Sequence, residues 1–452
     1  NIHGVSVLGM RMRGDLGVRS MHKLRGIGLL MLDFLMVASV PAQAQSLGEL
    51  IPELLETHNL IKASQADLEA ASQNVKSSQG AWFPQLDLTA HYGFEAQNKP
   101  AESDDTDLAT READLSITQL LWDFGKTNAD IRASKLNRSA SRFALKAQTQ
   151  DILLIAIEAY LNVRLKAEVL MFALQSESNI KRQTEIEDAL VERGAGLSTD
   201  VLDSKQKLAG AQSKRSAAAG ELKTARNAYR RVFQADVEDP GALEKPNLPI
   251  DLLPASVEEA INTALRENPT LKSASTASRV NREIANSQRA TGFFPVVNMV
   301  GEAVVKKDSG GTVGNQQELL GKVEMNFPFN LGFTAINTLK AAKGAATAGE
   351  RRVSDARDQL ELDVRDAWDI LETAREKLEF DRNQANLAAE FLELARRERQ
   401  LGNRTLNDIL DAETELIDSN SRAAAAETAV AVGVYTLIQR MGRLEADILT
   451  RS

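Results

Sequence analysis

Two stretches of this chain, Lys126 to Gly194 and Thr334 to Leu401, contain no proline, and the only glycines inside them are Gly344 and Gly349. Proline removes a backbone donor and clashes with the preceding turn, and glycine costs backbone entropy. Their scarcity over so long a span leaves continuous helix as the favoured conformation. Each stretch would be about 68 residues and roughly 100 Å long. A helix of that length needs partners along its whole extent, and the sequence supplies them. Segments 47–79, 199–233, 255–290 and 405–441 read as helices about half as long, so two laid end to end match one long helix. Val201, Leu208, Leu222 and Tyr229 recur in sevens, with Ala211, Ala218, Ala225 and Val232 three residues on. Ile409, Leu416, Val430 and Leu437 repeat the pattern. A seven-residue apolar period with a row of small residues predicts close coiled-coil packing.

The pattern occurs twice because the chain is a tandem duplication, roughly 46–233 and 255–441. Ala81-Trp82-Phe83-Pro84 matches Gly292-Phe293-Phe294-Pro295, and Leu60, Ala63 and Ala66 match Leu271, Ala274 and Ala277. Trp122-Asp123-Phe124-Gly125 matches Phe329-Asn330-Leu331-Gly332. Gly194 and Asp200-Val201-Leu202-Asp203 match Gly402 and Asp408-Ile409-Leu410-Asp411. The joint is the linker from Asp239-Pro240-Gly241 through Pro246 and Pro249 to Pro254. The expected organisation is 1–44 as upstream residues and leader, 45–254 as the first repeat with its linker, and 255–452 as the second repeat with a C-terminal tail.

Between the first helix and the long helix of each repeat the period changes from seven to two. Leu86, Leu88, Ala90, Tyr92 and Phe94 alternate with Asp87, Thr89, His91 and Glu95, and Leu115 and Ile117 alternate with Asp114, Ser116 and Thr118. In the second repeat Val297, Met299, Ala303 and Val305 oppose Asn298, Glu302 and Lys306, while Val323, Met325 and Phe327 oppose Lys322, Glu324 and Asn326. Hairpins over 84–122 and 295–330 are predicted, with tips at 96–107 and 307–317. About ten such residues suffice to cross a bilayer as a tilted barrel strand. A soluble hairpin packed on a core has the same alternation.

Lys23 and Arg25, the apolar run Ile27 to Val40, and Ala42-Gln43-Ala44 have the order of a secretory leader, so the mature chain is expected to begin at Gln45. Met21 is a plausible start, which would make residues 1–20 upstream sequence. The apolar run is shorter than the roughly 20 residues of a spanning helix. Four strands cannot close a barrel alone, since known single-chain barrels begin at about eight, so membrane hairpins require two, three or more copies.

Other classes have little support. The net charge of −9 argues against nucleic acid as a partner, and the absence of cysteine excludes disulfides, thiolate sites and a lipid-bearing N-terminal Cys. Beyond residue 44 the only histidines are His58 and His91. No phosphate-binding glycine loop, HExxH or nucleophile elbow occurs, so neither an enzyme nor a cofactor is expected. The strongest non-channel rival is a soluble periplasmic coiled-coil adaptor, which leaves the leader and the hairpins unexplained.

The combined pattern resembles the TolC family of outer-membrane channel-tunnels. The resemblance covers nearly the whole mature chain and is most specific at the paired turns, Arg193-Gly194 to Asp203 and Leu401-Gly402-Asn403-Arg404-Thr405-Leu406-Asn407-Asp408-Ile409-Leu410-Asp411-Ala412. It implies a mainly α fold with a β-barrel: a homotrimer whose twelve strands, four per chain, span the outer membrane of a Gram-negative cell above a periplasmic α-helical coiled-coil barrel. It also implies a passive exit duct working with a periplasmic adaptor and an inner-membrane ABC or proton-driven pump. The Asn403–Asp411 turn, Arg230-Arg231-Val232-Phe233 and Arg440-Met441-Gly442-Arg443-Leu444 are similar to the type I protein-secretion branch, with small-molecule efflux as the alternative. By the same resemblance Asp408 and Asp411 form charged rings at the periplasmic mouth, and Arg404 links to Asp200 to hold it shut. Arg399 stands where the family carries a tyrosine of the same lock. Capping of helix starts is the competing role for Asp200 and Asp408.

Overall fold

The computed structural model describes residues 46–100, 104–329 and 331–450. The leader and the Gln45 cleavage point lie outside the described residues, as does Asn330 of the second strand exit. The first repeat runs α1 (Leu47–Thr57), α2 (Asn59–Gly80), β1 (Gln85–Gln97), β2 (Thr106–Trp122), α3 (Lys126–Glu192) and α4 (Ser198–Phe233). The second runs α5 (Val257–Glu267), α6 (Pro269–Phe293), β3 (Val296–Ser309), β4 (Thr312–Asn326), α7 (Thr334–Gln400), α8 (Leu406–Arg440) and the short α9 (Ala446–Thr450). Both α3 and α7 are unbroken over 67 residues. Along its length α3 packs on α2, α6, α4 and α8, and α7 packs on α5, α6 and α8.

The segments 47–79 and 255–290, read as single helices, are each two. In the second repeat Asn268 is extended and its side chain accepts the Leu271 N–H at 3.0 Å, while Pro269 occupies the first helical position. A residue before proline is pushed out of the α region, so the chain must break there. In the first repeat His58 takes the same place, its ring nitrogen accepting the Leu60 N–H at 3.3 Å. The second hairpin tip is also tighter than 307–317. Strand pairing reaches Ser309 and Thr312, because Gly310 and Gly311 both adopt positive φ and close a two-residue turn.

The four strands form one antiparallel sheet in the order β1-β2-β3-β4. The register brings Leu88, Leu115, Ala303 and Leu319 into one cross-strand row and His91, Glu112, Lys306 and Gln316 into another. Side chains alternate between faces along a strand, so these rows belong to opposite faces. The apolar face is open: Leu88 is 73% exposed, Phe94 74% and Leu319 88%. On the polar face Lys306 bridges Glu112 and Glu318, and Lys322 bridges Glu302 and Glu324. Among the described residues neither β1 nor β4 has a second partner strand.

The largest apolar core lies midway along the long helices. It joins Ile152 to Val163 of α3, Val430 to Ile438 of α8 and Met441 just after it, α1, α5 and the linker residues Val237 and Leu243. Two buried tyrosines fasten the linker to it. The Tyr160 hydroxyl donates to the Glu244 carbonyl and the Tyr435 hydroxyl to the Asn247 carbonyl, both at 2.9 Å. Burial pushes Tyr435 up to about 12, so it remains a donor at neutral pH.

The Arg440–Leu444 motif closes the same region. Gly442 takes φ +79°, Met441 and Leu444 are buried, and Arg443 grips Glu267 with two hydrogen bonds of 2.8 and 2.9 Å. That hydrogen bonding holds the Glu267 carboxyl below the usual range. The pair's contribution is therefore complete at neutral pH and is lost as acid protonates Glu267 through its lowered pKa. A Cβ on Gly442 would lie 2.6 Å from Asn268 Cα. Gly442→Ala is expected to destabilise the fold by at least about 1–2 kcal/mol from backbone conformation alone, seen as a lower melting temperature of the detergent-solubilised protein. An unchanged melting temperature would show that this joint is soft.

Candidate functional site: the helical mouth

The end of the helical body remote from the sheet is built from two matched turns. Gly194 and Gly402 adopt φ of +72° and +81°. Each donates its N–H to the carbonyl three residues back, Val191 or Arg399, at 2.9 Å, and the next residue donates to Leu190 or Glu398, also at 2.9 Å. This left-handed closure ends α3 and α7, and it requires a residue without a Cβ penalty. α4 starts without a side-chain cap, whereas α8 starts with a capping box: Thr405 Oγ1 accepts the Asp408 N–H at 3.3 Å, and Asp408 Oδ2 accepts the Thr405 N–H at 3.2 Å. These hydrogen bonds with Thr405, aided by the charge of Arg404, hold the Asp408 carboxyl below its usual range.

Below the turns the packing is apolar in two small clusters. Ile180 and Ala211 meet Leu406 and Leu410; Leu392 and Ala395 meet Ile409 and Ala412. The alternation along α8 turns Asp411 outward to solvent and leaves Asp408 half-buried at its first turn. An open groove of about 530 Å³ runs past Leu387, Phe391, Arg404, Asp408, Asp411 and Glu415.

The expected Arg404–Asp200 link is not made within the protomer. Arg404 Nε donates to Glu398 at 2.7 Å, its guanidinium lies 5.0 Å from the centre of the Phe391 ring, and the Glu398 hydrogen bond raises its pKa further. A partner six residues away in the same turn requires less chain ordering than one on the other hairpin. Arg399 does cross between the hairpins, but to Glu187 of α3 rather than to Asp200. Asp200 lies half-buried in the first turn of α4. Asp411 is ion-paired with Lys207 of α4.

Glu187, Glu413, Lys207 and Glu398 were not among the residues expected here. Glu413 is 1% exposed, paired with Arg396 and hydrogen-bonded by Asn179 Nδ2 at 3.2 Å; Glu187 is 3% exposed. Both glutamates sit where the helical period puts core residues, and the only sequence signal for them was a charge at an apolar position. A buried carboxylate that loses its cation keeps its desolvation cost. Arg399→Ala is therefore expected to cost about 3 kcal/mol in urea unfolding followed by helical circular dichroism. Arg404→Ala, at an exposed pair, should cost far less. Equal losses would show that Glu187 is not the strained partner.

The sequence profile described as "Outer membrane efflux protein" matches residues 50–233 and 260–443, once in each repeat. The chain belongs to that family. The outer membrane efflux protein BepC of Brucella suis is 25% identical over 86% of this chain and 83% of its own length. The alkaline protease secretion protein AprF of Pseudomonas aeruginosa is 23% identical over 82% of this chain and 79% of its own length. The solved outer-membrane channel OprN has the same fold, with a TM-score of 0.74 at 19% identity, covering 88% of this chain and 90% of that one. The protein is accordingly a TolC-family outer-membrane channel of a Gram-negative envelope, with a periplasmic helical tunnel. Members of the family are passive channels, not enzymes. Among the described residues no helix is long and apolar enough to cross a membrane, and the sheet, with one apolar and one polar face, supplies the barrel strands.

Proposed function

We propose that this channel is the exit duct of a type I secretion system, passing protein cargo from an inner-membrane ABC pump through a periplasmic adaptor. The observation that carries this reading is the relation to the alkaline protease secretion protein AprF over most of its length. The Asn403–Asp411 turn, similar to that of the type I branch, supports it. Small-molecule efflux is the second reading, favoured by the relation to the efflux protein BepC. The two separate in a host whose own outer-membrane component has been deleted. Expressed with an ABC exporter, its adaptor and a protease cargo, the chain should restore protease to the medium. Restored resistance to dyes and detergents without secreted protease would overturn the type I assignment.

The working unit is a homotrimer. A bilayer offers no water to the unpaired N–H and C=O groups of the β1 and β4 edges, so each edge must pair with the next copy, and three copies give a twelve-stranded barrel. Native mass spectrometry in detergent should give a trimer, and a stable monomer would contradict this.

At the mouth the Asp408 and Asp411 carboxylates of three chains face one narrow opening. Like charges gathered there draw cations and repel anions. Lys207 offsets Asp411, so Asp408 supplies most of the free charge. Arg399 serves as a fixed tie through Glu187 and not as a partner of Asp200. Asp408→Asn should lower cation preference in planar bilayers more than Asp411→Asn does. Unchanged reversal potentials in both variants would reduce Asp408 to a helix cap.

A further inference from the structure

Toward the hairpin tips the apolar face of the sheet ends in a row of a different kind. Counting four residues toward the tips from Leu88, Leu115, Ala303 and Leu319, the register sets Tyr92, Arg111, Lys307 and Asn315 side by side. A step of even length keeps them on the same face. Arg111 and Lys307 are direct cross-strand partners, and both are exposed. Like charges opposed in this way repel and weaken the strand pairing.

Among the described residues no acid relieves them. The adjacent Glu112 and Lys306 pair with each other on the polar face. Glu95 accepts the Gly310 N–H at 3.0 Å, and Asp308 accepts the Gly314 N–H at 2.8 Å. Asp107, on the same face of β2, stands roughly 13 Å farther toward the tip. The Arg111 guanidinium instead lies 5.6 Å from the centre of the Tyr92 ring, itself 71% exposed. That contact steadies the cation against the sheet without neutralising it.

The other edge of the apolar face is marked by Trp122, which is exposed and edge-on to Phe124. From Arg111 to Trp122 the strand covers about 36 Å, which at a barrel tilt of about 40° is about 28 Å of height. An outer-membrane barrel has an apolar band about 25 Å tall, with aromatic girdles at both edges. The helices form the periplasmic end, so the Tyr92, Arg111 and Lys307 row falls at the outer-leaflet interface. A basic side chain on the lipid face costs little at that depth and meets headgroups. Nearer the membrane centre the same face of β3 narrows to Ala303 and then Gly301, with Gly321 opposite. A Cβ on either glycine would meet nothing within 4 Å, so no crowding neighbour demands them. Glycine weakens a strand, and its use here leaves a shallow track open to an acyl chain.

We propose that Arg111 and Lys307, with Tyr92, form a lipid-facing site for the phosphate of an outer-leaflet lipid headgroup, one on each protomer, with an acyl chain lying over Gly301 and Gly321. Phosphate suits the row because an arginine fork takes two of its oxygens while a lysine ammonium and a phenol hydroxyl reach others. Its charge also removes the repulsion between the two cations. The site is independent of the cargo that the channel carries.

The test uses the full-length trimer, stripped of lipid in detergent, with lipid A carrying two phosphates as the probe. Native mass spectrometry should show one lipid bound per protomer. Arg111→Gln/Lys307→Gln should weaken binding about tenfold, and each single variant about threefold. The same spectra show whether the trimer persists; should the double variant fail to assemble, the single variants carry the decision. Lys306→Gln removes a charge one position away on the polar face and should bind as wild type does. Dephosphorylated lipid A should bind the wild type as weakly as the intact lipid binds the double variant. Excess inorganic phosphate should leave the lipid in place. Unchanged binding in the double variant, an equal loss in Lys306→Gln, or equal binding of the dephosphorylated lipid would each overturn the site. Displacement by inorganic phosphate would show a free-anion site and overturn the lipid assignment.

Discussion

Every part of this molecule depends on burying the apolar stripe of two 67-residue helices. An isolated helix draws little stability from its own hydrogen bonds, and most of what it has in a protein comes from tertiary packing of one face. The half-length helices supply that packing in relay: α2 and α6 along the sheet-side half of α3, α4 and α8 along the other half. The relay has a weak point where one partner ends and the next begins. The largest core and the tyrosine-fastened linker lie there, with the Gly442 joint beside the α5–α6 break. The linker is thus a strap across a joint as well as a connection between repeats.

The sheet is complementary in its logic. Strands need neighbours at their edges, and four strands leave two edges open. One face carries Leu86, Leu88, Tyr92 and Phe94 outward, and the other carries paired lysines and glutamates. A face of each kind, with the apolar one left exposed among the described residues, suits a wall between lipid and water. The same duplication that doubles the helices doubles the hairpins, so the barrel and the tunnel are built in matching portions.

At the mouth the charges divide by burial. Glu187 and Glu413 are desolvated and held by arginines of α7, which makes them fixed ties. Asp408 is committed to the start of α8 through Thr405, so its charge is held in place by the helix that carries it. Asp411 and Asp418 pair with Lys207 and Lys214 of α4 at solvent-exposed positions. The start of α8 therefore holds a cap, a buried tie and a solvated pair within a few positions of one another.

The heptads, the missing prolines, the period-two strands and the paired landmarks made the long helices, the hairpins and the duplication legible in the sequence, because local periodicity decides which face of an element is apolar. The helix breaks at His58 and Asn268 were marked only by a cap residue and Pro269, and the tight second tip only by Gly310-Gly311. The charged partners were not legible. Arg399 meets Glu187 and Asp411 meets Lys207 because of how α3, α4, α7 and α8 are rotated about their axes, and Arg404 turns instead to Glu398, six residues away in its own turn. The sequence by itself determined which residues share a helix face or a strand face. Only the tertiary structure decided which carboxylate Arg399 and Lys207 reach, since that depends on contacts between segments about 200 residues apart, where no local period carries information.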